Sequence, residues 1–98
     1  MAMFHVVLRR SGPDWDFSKP LEEQSGWPEH AQYMDGLVES GHIIIGGPLH
    51  DELRVVHAFA ADSEETVLTL LADDPWSGSH LVVEAIDGWT IRLDARGS

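Results

Sequence analysis

Residues 27–48, WPEHAQYMDGLVESGHIIIGGP, change from a helical to an extended pattern within a few positions. Apolar side chains in the first part recur on one arc of a helical wheel. Pro28 suits the first turn of a helix, where no backbone N–H is needed, and Gly41 suits the position just past its end. The pattern therefore predicts a helix over residues 28–40. The β-branched run that follows predicts a strand over residues 42–46.

The predicted helix carries His30 inside its apolar arc, between Trp27, Met34 and Leu37. A titratable imidazole at this position points toward the interior of the domain or into a cleft. A core histidine with one satisfied hydrogen bond would explain the same placement. His30 is therefore a candidate acid–base group with an alternative, structural role.

The rest of the chain supplies further strands and a second helix. The second helix begins at Asp62–Glu65, which resembles a capping box, and ends at Asp74, because the residue before a proline leaves the helical region. Strands are predicted over residues 4–8, 53–61 and 81–86, with an additional C-terminal strand over residues 89–93.

The predicted order β-α-β-β-α-β matches the split βαβ, or ferredoxin-like, plan of an α+β protein, here with its extra C-terminal strand. Residues 1–98 are too few for two domains, so we expect a single one. Two helices cover only one face of a four-stranded sheet, yet residues 53–61 are apolar on both faces. Because an open apolar face needs a cover, we expect a homodimer with the two sheets packed together.

A long loop over residues 10–26 separates the first strand from the first helix. Long loops in compact domains are often lids or binding loops. Trp15 and Phe17 are too apolar for a solvated tether, so we expect them to pack on the body of the domain or to line a site.

The composition excludes several classes of partner and chemistry. The formal net charge of −11 disfavours nucleic acids and anionic membranes, because both would be repelled. The absence of cysteine excludes disulfides, a thiolate nucleophile and a cysteine zinc site. The sequence lacks a signal-peptide pattern and a membrane-spanning apolar run, so a cytoplasmic location is expected.

Two further motifs are weak evidence for a functional site when each is taken alone. Gly46-Gly47-Pro48 lacks the lysine of a phosphate loop, so it is either a plain turn or a place where a ligand approaches the backbone. Asp74 precedes Pro75, where a turn aspartate is ordinary, and Trp76 is either core or pocket wall. No serine elbow, metalloprotease helix or EF-hand spacing is present.

Together these elements resemble the YCII-related (YciI-like) family over nearly the whole chain. Each motif is short, but their order and spacing make the combination fairly specific. The long loop over residues 10–26 is a departure that prevents the transfer of a substrate from relatives with a shorter loop. The motifs are Trp27-Pro28-Glu29-His30, Gly41-His42-Ile43-Ile44-Ile45-Gly46-Gly47-Pro48-Leu49, Asp73-Asp74-Pro75-Trp76 and Trp89-Thr90-Ile91-Arg92.

The resemblance implies a dimeric α+β barrel made of ferredoxin-like domains. It also implies an active site with a histidine and an aspartate, which by motif position are His30 and Asp74. A few members of the family are described as small lyases that eliminate chloride from chlorinated aromatic breakdown products, and the fold is similar to that of muconolactone isomerases.

A carboxylate bonded to one imidazole nitrogen fixes the tautomer, so the other nitrogen can take a proton from a substrate. We therefore predict a lyase or isomerase without cofactor or metal, acting on a small aromatic or lactone-like molecule. His30 is its general acid or base, and Asp74 orients the ring. Weaker candidates for the substrate pocket are Tyr33, Gly47, Pro48 and Trp76.

Two other functions remain open. The first is a dimeric module that binds a small ligand without turning it over, in which His30 and Asp74 only hold the helix ends and the turn together. The second is a metal site, because the chain has six histidines and His5 and His57, both on predicted strands, could share a sheet face. No pair of histidines has close metal-ligand spacing, which disfavours this last possibility.

Overall fold

Four strands and two helices follow one another in the predicted order β-α-β-β-α-β. A computed structural model describes residues 1–97. A short 3₁₀ helix, Leu21–Glu23, lies within the long loop. The main elements are β1 (Ala2–Arg9), α1 (Trp27–Glu39), β2 (Ile43–Pro48), β3 (Arg54–Ala61), α2 (Glu64–Ala72) and β4 (Val82–Gly88).

The strands form one sheet in the order β2-β3-β1-β4, and every neighbouring pair is antiparallel. The α+β class is therefore confirmed, and this order is compatible with a ferredoxin-like plan. The register places Val6 of β1 and Gly46 of β2 on either side of His57 in β3. Gly46 and His57 of this row line a cavity beside the helices.

The helices pack on one face of the sheet, where the core lies. Successive side chains of a strand point to opposite faces, so Phe4, Val6 and Leu8 of β1 all face the helices. They pack with Phe59 of β3 and with buried apolar side chains of both helices. Trp15 of the long loop joins this core, as expected, whereas Phe17 is exposed.

The predicted strand over residues 89–93 is wrong for the described chain, because this segment makes no strand pairing. Trp89 still donates its N–H to the carbonyl of Met3 at 2.9 Å. Phe4 lies opposite Gly88, so β1 offers only two more residues beyond that point. The segment therefore runs past the end of β1, the strand that neighbours β4 in the sheet.

The second face of the sheet carries apolar side chains that the helices do not cover. Ile45 lies opposite Ala58 on this face and is 73% exposed. The segment after β4 borders the same face, where Trp89 packs edge-on against His5, and Leu93 at its end is 95% exposed. Separately, no helix within residues 1–97 has the length and apolar character needed to cross a membrane.

Candidate active site

Helix α1 carries His30 on its buried face, and its end is fixed by local sequence. Gly41, with φ of 85°, adopts the left-handed conformation expected just past the helix. The Gly41 N–H donates to the Val38 carbonyl at 3.0 Å, and the His42 N–H donates to the Leu37 carbonyl at 2.9 Å. These two bonds form a Schellman motif, which stops the helix and turns the chain into β2.

Asp74 lies in a tight turn after α2. Ser77 donates its N–H to the Asp74 carbonyl at 2.9 Å, and Pro75 supplies the fixed φ that such a turn favours. The Asp74 carboxylate also accepts the N–H of Trp76, two residues on, at 2.9 Å. An aspartate before a proline forms this kind of side-chain turn readily, so the local sequence fixes the position of the carboxylate.

His30 and Asp74 are in direct contact, although they lie 44 residues apart in the chain. The Nδ1 atom of His30 is 2.7 Å from Oδ1 of Asp74, and both side chains are buried. A carboxylate can only accept a hydrogen bond, so Nδ1 carries the proton and donates it. The Nε2 atom of His30 is then the nitrogen left for other chemistry.

The ring of Trp76 stacks on that of His30, with a centroid distance of 4.0 Å and an angle of 7° between the planes. It also stacks on His80 at 4.6 Å and 13°. The indole N–H donates to the Ser25 carbonyl at 2.8 Å, and the Ser25 hydroxyl contacts His80 Nε2 at 2.9 Å. Trp76 is therefore held on several sides, and it fixes the plane of the His30 ring.

His30 and Trp76 line a cavity of about 230 Å³ between α1, the long loop and the strands β2 and β3. Its wall is mostly apolar, and besides the indoles its polar side chains are Arg10, His30 and His57. A dry cavity of ~150 Å³ admits benzene. This cavity therefore has room for a substituted six-membered ring.

Three of the four residues predicted for the substrate pocket line this cavity, namely Gly47, Pro48 and Trp76. Tyr33 lies outside it. The Tyr33 hydroxyl donates to the carbonyl of Leu70, which joins α1 to α2. Asp74 is also not part of the cavity wall, because it lies behind His30. A group in this position can orient the imidazole ring without touching the substrate.

His57 of β3 is a buried residue whose position in the cavity was not predicted. Its Nδ1 atom is buried without a hydrogen-bond partner among residues 1–97. A Cβ atom at Gly46 would lie 1.9 Å from this nitrogen, so glycine leaves the room that the imidazole occupies. Burial lowers the pKa of His57 to about 4; the electrostatic interaction with nearby His30 also lowers this pKa, while the Asp74 carboxylate opposes the shift. His57 is therefore a neutral imidazole near pH 7.

Arg10 is the second lining residue that was not predicted. Its guanidinium is buried, lies 4.7 Å above the ring of Trp15, and donates through Nη1 to the carbonyl and the carboxylate of Glu52 at 3.1 and 3.0 Å. Its Nε atom is buried with no partner among the described residues. The strand alternation that turns Val6 and Leu8 toward the helices also turns Arg10 that way. This pattern in the sequence could have predicted that Arg10 is buried.

The expectation that His5 and His57 could share a sheet face is wrong. His57 lies opposite Val6 and faces the helices, whereas His5 lies opposite Ala58 and faces the other side. Within the part of the chain that the structure describes, no three His, Cys, Asp or Glu side chains are close enough to hold a metal ion.

Comparisons with protein-family models, with curated proteins and with solved structures give no match to this chain. The resemblance to the YCII-related family therefore stays a prediction from the motifs.

Proposed function

We propose that this protein is a cofactor-free lyase or isomerase that acts on a small ring compound, with His30 as the group that transfers a proton. The observation that carries this proposal is the 2.7 Å contact between His30 Nδ1 and Asp74 Oδ1, at the wall of a cavity large enough for one ring. Asp74 lies behind the imidazole, and the cavity lies in front of it.

In the proposed reaction, Nε2 of His30 takes a proton from a carbon or hydroxyl of the substrate. The Asp74 carboxylate stabilises the imidazolium that forms, and Trp76 keeps the ring in plane. In an isomerisation the proton returns to another atom of the substrate. In an elimination the neighbouring carbon releases its leaving group as an anion. Both reactions are redox-neutral, so neither needs an external oxidant or reductant.

His57 is the proposed donor to the oxygen on which negative charge develops. A buried lone pair without a partner is tolerated better than a buried N–H without one, so Nδ1 is the unprotonated nitrogen and Nε2 carries the hydrogen. A neutral imidazole can polarise a carbonyl without first losing a proton to the solvent. The mostly apolar wall lowers the local dielectric, which strengthens this interaction.

A non-catalytic module that binds a small ligand is the second candidate. The contacts of His30 with Asp74 and Trp76 join α1 to the turn after α2, and they would persist without any chemistry. The same cavity would then hold a ligand that leaves unchanged.

The deciding experiment compares the wild-type protein with His30→Gln on chlorinated hydroquinones and lactones. Glutamine keeps a polar side chain of similar reach but cannot shuttle a proton. We expect turnover to fall by ~10²–10⁴-fold, the usual contribution of a general acid or base. The matched control is His50→Gln, because His50 is exposed and lies outside the cavity. Equal turnover in the wild type and His30→Gln, or saturable binding without product, would favour the binding module.

We also propose that the chain forms a homodimer through the uncovered face of its sheet. Ile45 and Ala58 lie side by side there, and the border segment adds Trp89, Ile91 and Leu93. A second copy offers the same apolar, self-complementary face, which is the geometry of a two-fold interface.

A further inference from the structure

Two buried side-chain nitrogen atoms lack a hydrogen-bond partner among residues 1–97, and both belong to residues that line the same cavity. They are Arg10 Nε and His57 Nδ1. Buried polar atoms without partners cost stability and are rare in native proteins. Of the two, His57 Nδ1 is an acceptor that faces Gly46, whereas Arg10 Nε carries an N–H donor, and this unmet donor indicates a ligand with an oxygen acceptor.

Arg10 gives this cavity a positive charge that is only partly balanced. The side chain of Arg10 is 6% exposed, whereas its partner Glu52 is 75% exposed. Only Nη1 of the guanidinium contacts Glu52, and a guanidinium has five N–H donors in a planar fork. That fork matches the two oxygens of a carboxylate, so a second carboxylate can bind beside the first.

The negative charge of the whole chain shows what the buried Arg10 cation adds to the cavity. A formal net charge of −11 repels small anions in general, so capture of an anion requires a specific cation at the site. The other lining groups that could carry charge are imidazoles, and His57 is neutral near pH 7. Arg10 is therefore the permanent cation of the cavity.

We propose that the cavity binds a small ring carboxylate, whose carboxylate pairs with Arg10 while its ring lies against the apolar wall between Arg10 and His30. That this ligand is also a substrate rests on the function proposed above. That the cavity binds it does not depend on that function. A carboxylate held at Arg10 fixes the orientation of the ring, so that the same ring position always faces His30.

The test is a pair of NMR titrations of the ¹⁵N-labelled full chain at constant ionic strength, one with benzoate and one with benzamide. The two probes have nearly the same shape and differ in charge. We expect benzoate to bind about tenfold more tightly or better, because charge-assisted hydrogen bonds are the stronger ones. The largest shifts should occur at the Arg10 Nε–H and at the indole N–H groups of Trp27 and Trp76.

Two variants locate the effect. Arg10→Gln should bind benzoate and benzamide equally, whereas Arg9→Gln should keep the preference, because Arg9 faces the other side of the sheet and pairs with Glu84. If Arg10→Gln fails to fold, Arg10→Lys keeps the charge without the planar fork and should keep a reduced preference. The wild-type shifts locate the ligand without any variant.

Equal affinity for the two probes, a preference that survives in folded Arg10→Gln, or shifts confined to another surface would each overturn the proposal. Selective binding of benzoate through Arg10, without turnover of any ring carboxylate, would support the ligand class and count against the enzyme. Turnover of neutral substrates through His30, without a preference for carboxylates, would keep the enzyme and overturn the ligand class.

Discussion

The ring of His30 lies 4.0 Å from that of Trp76 and within 7° of its plane, and one oxygen of Asp74 is bonded to both residues. This oxygen, Oδ1, accepts from the His30 ring and from the Trp76 backbone. The three residues therefore form a closed unit. The turn fixes the position of the Asp74 carboxylate, and stacking on Trp76 fixes the plane of the His30 ring. Because the imidazole has little freedom left, its second nitrogen is held in one direction.

Asp74→Asn tests whether the carboxylate only orients the ring. The amide oxygen of asparagine can still accept both hydrogen bonds, but the negative charge that stabilises an imidazolium is lost. We expect a fall in kcat/KM that is smaller than that of His30→Gln, measured together with thermal unfolding. A loss as large as that of His30→Gln in a protein of unchanged stability would show that the charge itself is essential.

Gly46→Ala should destabilise the protein and move His57. A methyl group there would lie 1.9 Å from His57 Nδ1, which forces the imidazole or the strand to shift. We expect a loss of ~1–3 kcal/mol in the free energy of unfolding, the usual cost of overpacking. Gly47→Ala is the matched control, because a Cβ there meets nothing within 4 Å, and it should change stability by less than ~0.5 kcal/mol. Similar losses in both variants would refute this explanation.

His57 should make the protein less stable as the pH falls from about 6.5 to about 4. Its pKa is lowered to about 4 in the folded state from the ordinary value of 6.5, so the unfolded chain binds more protons in this window. Stability therefore rises with pH there, by an amount on the order of 3 kcal/mol or less. The lowered pKa of Asp51, about 2, acts only below this window.

The measurement is urea unfolding of the wild type and of His57→Leu at several pH values between 4 and 7. Removing the titrating group should flatten the pH dependence in this range. His50→Leu is the control, since His50 is exposed, and it should keep the wild-type slope. A slope that is unchanged in His57→Leu would mean that other groups cause the pH dependence.

Ile45→Lys should separate the proposed dimer into folded monomers. Ile45 is 73% exposed on the uncovered sheet face, so a charge there costs the dimer far more than the single chain. Sedimentation at micromolar concentration should give about twice 10.9 kDa for the wild type and 10.9 kDa for the variant. Leu68→Lys, a comparable change at an exposed position of α2, should remain dimeric. A monomeric wild-type protein would overturn the proposed homodimer and, with it, the dimeric α+β barrel.

Local sequence determined the order of the elements and the shape of the two segments that carry the site. Pro28 and Gly41 define the ends of α1, and Asp74-Pro75 defines the turn after α2, because these residues restrict their own backbone whatever lies around them. The 3.6-residue period likewise placed His30 on the buried side of its helix.

The tertiary structure alone decided which of these residues meet. The contact of His30 with Asp74, the entry of Arg10 and His57 into the cavity, and the exclusion of Tyr33 depend on strand register and helix packing between distant segments. The alternation over residues 89–93 predicted a strand, but a strand also needs a partner backbone, and β1 ends too early to provide one. Periodicity fixes the face on which a side chain lies, whereas its neighbours depend on contacts that no local pattern encodes.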